Sequence, residues 1–178
     1  MIYKTLTITF LLFSCATRAQ YHNCGLDEKS IALARLIMQD NKQLRSGLVC
    51  DKALSIAAYK KAKAMAKINK VSHAIDNITP NEFLKQQGIK LPPNYQILGN
   101  QVESIQGGME TAQDAFKYFL TSKSHKEHIL GENRFFRKQN HIGVGFYKDL
   151  NTKYEYFAVV YITDLLKGNH SKPLMYIK

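Results

Sequence analysis

His141-Ile142-Gly143-Val144-Gly145-Phe146-Tyr147, followed after a polar break by Tyr154-Glu155-Tyr156-Phe157-Ala158-Val159-Val160-Tyr161-Ile162, decides how this chain is organised. In the first segment Ile142, Val144 and Phe146 alternate with Gly143 and Gly145, the two-residue period of a strand. The second is rich in β-branched and aromatic residues, which suit a pleated, buried surface. The polar stretch 149–153 between them predicts a hairpin. Upstream the apolar residues recur mostly at helical spacing. Helices followed by a hairpin predict an α+β layered fold over a doubly wound one.

The helices can be placed by their punctuation. A helix over 28–43 carries Leu33 and Ile37 near one face, with Ala34 beside them and Leu44 just past its end on the same side. Asp51 is a fair N-cap for a second helix over 51–69, where Leu54, Ala58, Ala62, Met65 and Ile68 repeat at three and four. Lys60, Lys61, Lys63, Lys67 and Lys70 read as the solvated face of that helix. Thr79 caps a third, with Pro80 at its first position, Glu82 completing a capping box and Gly88 ending it. A fourth fits 111–120, with Ala112, Ala115, Phe116 and Phe119 inward. Ser124 and Glu127 suggest a capping box for a short fifth helix anchored by Ile129 and Leu130. Residues 96–106 supply a further strand through Val102 and Ile105.

Residues 1–19 read as an export signal. Lys4 is the basic start, Leu6, Ile8, Phe10, Leu11, Leu12 and Phe13 form a short apolar core, and Ser14, Ala16 and Ala19 are the small residues of a cleavage site. The alternatives are a buried N-terminal helix and a lipobox, Leu12-Phe13-Ser14-Cys15, that would lipidate Cys15. No apolar run reaches the roughly 18 residues of a membrane-spanning helix. Of the three cysteines, Cys24 and Cys50 lie beyond the signal. An even pair in an oxidising compartment predicts a Cys24–Cys50 disulfide, against the alternative of two buried thiols. The chain has 178 residues, which fits one domain: signal 1–19, N-terminal segment 20–30, domain 31–166 and tail 167–178. Losing Lys4 and Arg18 with the signal lowers the formal net charge of +11 by two. The surface that remains favours anionic partners, and export argues against nucleic acid.

Four residues could carry chemistry: His73, Glu103, Ser122 and His125. Singly each has a plain reading: a surface loop histidine, an exposed strand carboxylate, a helix cap and a helix histidine. His125 and His128 are three apart and could face one metal, but no third ligand at metal spacing lies near them.

The order and context of these residues resemble the CAP superfamily (cysteine-rich secretory proteins, antigen 5 and pathogenesis-related proteins), also called the SCP domain, in its bacterial form. Leu48-Val49-Cys50-Asp51-Lys52-Ala53-Leu54, with Ala57, Ala58, Ala62 and Ala66, resembles the family's opening helix. His73 falls where the family has its first cavity histidine. Glu103 in Gln101-Val102-Glu103-Ser104-Ile105 stands where the family reads Gly-Glu-Asn. Phe119-Leu120-Thr121-Ser122-Lys123-Ser124-His125-Lys126-Glu127-His128-Ile129-Leu130 resembles the element that carries the second cavity histidine. Ile142-Gly143-Val144-Gly145 and the following strand resemble the closing hairpin.

The chain departs from the pattern in several places. Val102 and Ser104 replace the Gly and Asn beside Glu103, and Phe119 stands where Trp is common. Gly131-Glu132-Asn133 spells the family tripeptide but follows the His125 helix, so Glu103 is the better match. Glu110 cannot be aligned safely with the second cavity glutamate of eukaryotic members. The cysteine pair does not follow their C-terminal disulfides.

The resemblance implies a three-layer α-β-α sandwich with a mainly antiparallel central sheet and a cleft lined by His73, Glu103, Ser122 and His125. It implies an exported binding protein, secreted or periplasmic, for an anionic or amphipathic ligand such as a lipid or glycan. Envelope or extracellular proteins are the other partners it admits. No cofactor is required, although His73 and His125 could hold a divalent cation such as zinc. The alternative is a secreted peptidase-like hydrolase with His125 or Glu103 as base. Ser122 would then need His125 within hydrogen-bond reach, so enzyme status stays open.

Overall fold

The structure, a computed structural model, describes residues 21–166. The signal reading of 1–19, the lipobox at Cys15 and the tail 167–178 lie outside the described residues. The sheet has the order β1 (Val49–Cys50), β3 (His141–Lys148), β4 (Tyr156–Thr163), β2 (Glu103–Gly107). The β3–β4 hairpin and the β4–β2 pair are antiparallel, and β1 runs parallel to β3, so the sheet is mixed. With only two residues, β1 has no period to betray it in sequence.

Every residue of β4 is buried, because helices cover both faces of the sheet. Ala158, Val160 and Ile162 join Ile142, Val144 and Phe146 in one core with helices α1 (Glu28–Gln39), α4 (Ala112–Thr121) and α5 (Lys123–Leu130). Phe157, Val159 and Tyr161 face the other way, onto α2 (Lys52–Lys67) and α3 (Pro80–Gln86). The alternation of the hairpin thus divides two cores, giving helix, sheet and helix layers. A short α6 (Arg134–Arg137) leads into β3. α2 lies directly on β3. A Cβ at Gly143 would overlap the backbone at Leu54 and Ser55, and one at Gly145 would overlap Ala58 and Tyr59.

The caps follow the sequence closely. Asp51 accepts from Leu54 N–H, Thr79 from Glu82 N–H, and Thr111 from Asp114 N–H. Gly88 has φ +81° just beyond α3. α1 is shorter than its sequence pattern. The Asp40 carboxylate accepts from Lys42 N–H at 2.7 Å, so an Asx turn competes with the helix there. The strand expected over 96–106 begins only at Glu103. The capping box of Ser124 and Glu127 does not form: α5 starts at Lys123, with Ser122 in the N-cap position and no side-chain cap bond. Cys24 and Cys50 are bonded, tying the short 3-10 turn His22–Cys24 to β1. Closing a loop of this size stabilises by about 3 kcal/mol.

Candidate functional site

β2 is an edge strand, and Glu103 is its first residue, paired with Tyr161. Asn100 pins that start: its Oδ1 accepts from Glu103 N–H at 3.0 Å, and its Nδ2 donates to the Glu103 carbonyl at 3.1 Å. The Glu103 carboxylate is fully buried and engaged at both oxygens. Oε1 accepts from His73 Nδ1 at 2.8 Å, and Oε2 accepts from Tyr161 Oη at 2.7 Å. The ammonium of Lys61, from α2, lies 3.7 Å from Oε2 and also donates to the His73 carbonyl. The Phe83 ring of α3 stacks on Tyr161 and lies 5.6 Å from that ammonium.

This cluster has a clear electrostatic sense. Burial pushes the Lys61 ammonium down from its ordinary value, and the Glu103 charge and hydrogen bond oppose that. Burial drives the Tyr161 hydroxyl well up, and the adjacent Glu103 carboxylate adds to the rise. An ionised carboxylate only accepts, so His73 carries its proton on Nδ1, an assignment from the hydrogen-bond network. In a neutral imidazole of that tautomer, Nε2 is the nitrogen with the lone pair.

Helix α5 supplies the opposite wall. The His125 ring lies 6.3 Å from the His73 ring, centroid to centroid, and edge-on to Phe119 at 5.3 Å. Its Nδ1 is buried with no hydrogen-bond partner among the described residues. Burial lowers its pKa, and His73 lowers it further. His128, one turn on, faces inward instead. It contacts Ser104 Oγ at 2.8 Å and the Ile162 carbonyl at 3.3 Å. Burial first, and then the nearby Arg45 charge, pull its pKa down to about 3, so it is neutral. Nδ1 therefore accepts from the Ser104 hydroxyl while Nε2–H donates to Ile162. His125 and His128 do not share a ligand position.

Arg45 holds the end of α5. Its buried guanidinium donates to the carbonyls of His128 at 2.6 Å, Ile129 at 2.9 Å and Phe136 at 3.0 Å. A cation is favourable at a helix C-terminus, where these carbonyls lack intrahelical partners. Gly131, at φ +70°, ends the helix. Asn133 caps α6, and Glu132 pairs with Lys126 at 2.9 Å. The tripeptide Gly131-Glu132-Asn133 therefore has local structural duties.

Between the two walls is a cleft of about 110 Å³, lined by His73, Asn100, Glu103, Ser104, His125 and His128. That is room for a few water molecules or for one small charged group. Ser122 does not line it. Its Oγ lies 3.1 Å from Ser124 Oγ, and no bond joins it to His125, so the arrangement a serine nucleophile needs is not formed. Glu110 is also elsewhere, exposed and bonded to Tyr156 and Lys29.

The donor set bears on a metal. Among the described residues no three His, Cys, Asp or Glu side chains are placed to share an ion. Glu103 is already spent on Tyr161, Lys61 and His73. That leaves the two imidazoles as the side chains that could meet a cation here. They do not fit a resident zinc centre, which takes three or four protein ligands.

Lys61, Tyr161, Asn100 and Arg45 escaped the sequence reading. Lys61 corrects it outright: its side chain is 1% exposed, not part of a solvated face. A signal existed, since Lys61 continues the Leu54, Ala58, Met65 stripe at helical spacing.

No protein-family model matches the chain, and no curated protein matches it. An outer surface protein from Borrelia burgdorferi shares its fold, with a TM-score of 0.59 at 20% identity over 79% of this chain and 97% of that one. The CAP domain of Enterococcal PrgA aligns with a TM-score of 0.43 at 16% identity, over 77% of this chain and 64% of that one. The likeness to the outer surface protein is one of fold alone.

Proposed function

We propose that this is an exported CAP-type protein that captures the anionic group of a larger ligand, a lipid head group or an acidic sugar, between His73 and His125. The single observation that carries this is the pairing of two imidazoles, 6.3 Å apart, over a cleft the size of one small charged group. Lys61 and Tyr161 balance the Glu103 carboxylate behind them, so it repels an incoming anion less than a bare carboxylate would. A divalent cation, where present, is held by the two imidazoles as an exchangeable bridge to the anion. The bulk of the ligand stays outside, because the cleft has no room for an acyl chain or a sugar ring. Export is supported by the signal-like residues 1–19, by the Cys24–Cys50 bond and by a fold shared with an outer surface protein.

Calorimetry with zinc alone, and then with inorganic phosphate added, tests the reading on wild type, His73→Ala and His125→Ala. Loss of one of two ligands is expected to weaken zinc binding by about tenfold or more, equivalent to at least ~1.4 kcal/mol. Phosphate is expected to bind more tightly to the zinc-loaded wild type than to the variants. Equal affinities in all three proteins would remove the cleft from consideration. A glycerophosphate and a glucuronate, compared on the wild type, separate lipid from sugar head groups.

A further inference from the structure

The positive charge of this protein is not spread evenly. Residues 21–166 carry twenty basic and fourteen acidic side chains, a surplus of six. Six lysines fall within residues 52–70, where no acidic residue occurs. Two of them are matched: Lys61 by Glu103 at 3.7 Å, and Lys52 by the adjacent Asp51, which caps α2 and keeps its charge. Lys60, Lys63, Lys67 and Lys70 are not, and they hold four of the six surplus charges.

Helical geometry gathers them on one face. At 3.6 residues per turn, Lys52, Ile56, Lys60, Lys63 and Lys67 lie within an arc of about 80°, and all five are exposed. The opposite face of α2, with Leu54, Ala58, Ala62 and Met65, is buried on the sheet. Lys70, also exposed, extends the row in the turn beyond the helix. Among the described residues none of these lysines lies within 4 Å of a carboxylate, and Lys60 donates to the neutral Gln87 side chain at 2.8 Å. The segments that meet this face are balanced in themselves. α3, with Gln87 at its end, sets Lys85 against Glu82. The hairpin turn, whose Lys153 N–H donates to Asn69, sets Lys148 and Lys153 against Asp149 and Glu155. The C-terminus of α2 adds only about half a negative charge. Like charges three and four residues apart repel, so the row costs the free protein stability that an anionic partner would return.

We infer that this face of α2 docks the protein on an anionic lipid bilayer, with the helix lying in the plane of the surface. Its shape and chemistry favour a membrane over a polymer. The face is the convex side of one helix, about 24 Å long, and not a groove that would hold a chain. It carries lysine and no arginine, which gives diffuse attraction to mobile head groups and not the planar fork that reads a fixed phosphate. The one aromatic residue of α2, Tyr59, is half-buried against Tyr147, so no ring stands free to stack a base or a sugar. Ile56 adds an exposed aliphatic side chain within the row, which a head-group layer can accept. The inference goes beyond the anion capture proposed for the His73–His125 cleft and does not rest on it.

Cosedimentation of the exported chain with vesicles tests it, using phosphatidylcholine alone and phosphatidylcholine mixed with phosphatidylglycerol. The readout is the ratio of the two partition coefficients, in which any contribution common to both kinds of vesicle cancels. A lysine near an anionic surface strengthens partitioning about fivefold, an effect that salt screens. The wild type is expected to prefer the anionic vesicles, and raised salt to abolish that preference. Lys63→Gln/Lys67→Gln is expected to lower the ratio about tenfold or more. Its urea midpoint is expected to stay unchanged or rise, since a repulsion is removed. Lys117→Gln/Lys123→Gln, the same charge change at exposed positions of α4 and α5 in the opposite layer, and His73→Ala are expected to stay within about twofold of wild type. Equal loss in the two double variants would reduce the effect to net charge and overturn the docking face. So would equal binding to both kinds of vesicle, or a loss confined to His73→Ala. Tighter binding to duplex DNA or polygalacturonate than to the vesicles, at equal anionic charge, would overturn it in favour of a polymer.

Discussion

The two walls of the cleft are built on opposite principles. The His73 wall is ionic. A buried carboxylate, a buried ammonium, a tyrosine hydroxyl and an asparagine amide set the imidazole through named hydrogen bonds. The His125 wall is neutral and packed. His125 rests on Phe119, His128 is uncharged among apolar groups, and the buried cation on this side, Arg45, is spent on carbonyls at the end of the helix. One histidine is thus oriented by charge and the other by shape. The ionic wall depends on every partner being present, while the packed wall depends on its histidine staying neutral.

The comparison can be broken most strongly on the ionic side. Lys61→Met keeps the stem but removes the ammonium, leaving the Glu103 carboxylate buried with Tyr161 and His73 alone. Removing one partner of a buried pair is expected to cost about 3–5 kcal/mol, read as a lower urea midpoint at neutral pH. A change below ~1 kcal/mol would mean that solvent reaches Glu103 and that the wall is not ionic.

The packed side is broken by acid. The folded pKa of His128 is about 3, against the ordinary 6.5. Between these values the unfolded chain binds a proton that the folded chain refuses, so this contribution is complete above about pH 6.5 and declines as pH falls towards 3. By pH 4 the loss is expected to reach roughly 3 kcal/mol. Denaturation midpoints at pH 7, 5.5 and 4 measure it. The slope should flatten in His128→Gln, which cannot titrate; an unchanged slope would assign the acid sensitivity to other groups.

Asn100→Ala sharpens the comparison with a smaller effect. It removes two bonds to the Glu103 backbone, and water can replace them because Asn100 is exposed. A loss of about 1 kcal/mol is expected. A loss as large as that of Lys61→Met would make strand pinning, and not charge, the basis of this wall.

These contrasts also mark what the chain made readable. Periodicity placed the hairpin and the main helices, because burial on one or both faces writes itself as alternation or as a stripe. Caps at Asp51 and Thr79 were readable because they act within three residues, whereas Thr111, read as the first residue of its helix, is the N-cap of α4. The pair Cys24 and Cys50 followed from counting. The ionic wall was readable only at His73 and Glu103. Lys61 was hidden among Lys60, Lys63 and Lys67, where a solvated face is the ordinary meaning, and its partner is 42 residues away in the chain. Tyr161 looked like any strand aromatic, and nothing local marks Asn100 or Arg45, whose partners are set by tertiary folding. Ser122 misled for the opposite reason. Its local signal is genuine, yet its hydroxyl turns to Ser124.

Gly143 and Gly145 set how far the whole ionic wall sits from the sheet, although neither touches it. They let α2 rest on the bare backbone of β3, and Lys61 is carried by that same helix two residues beyond Tyr59. A single added methyl would act as a shim, lifting the helix and drawing its ammonium away from the carboxylate it neutralises. The thickness of one strand is therefore a tuning element for the cleft, and residues with no polar atoms in their side chains decide how well its chemistry is aligned.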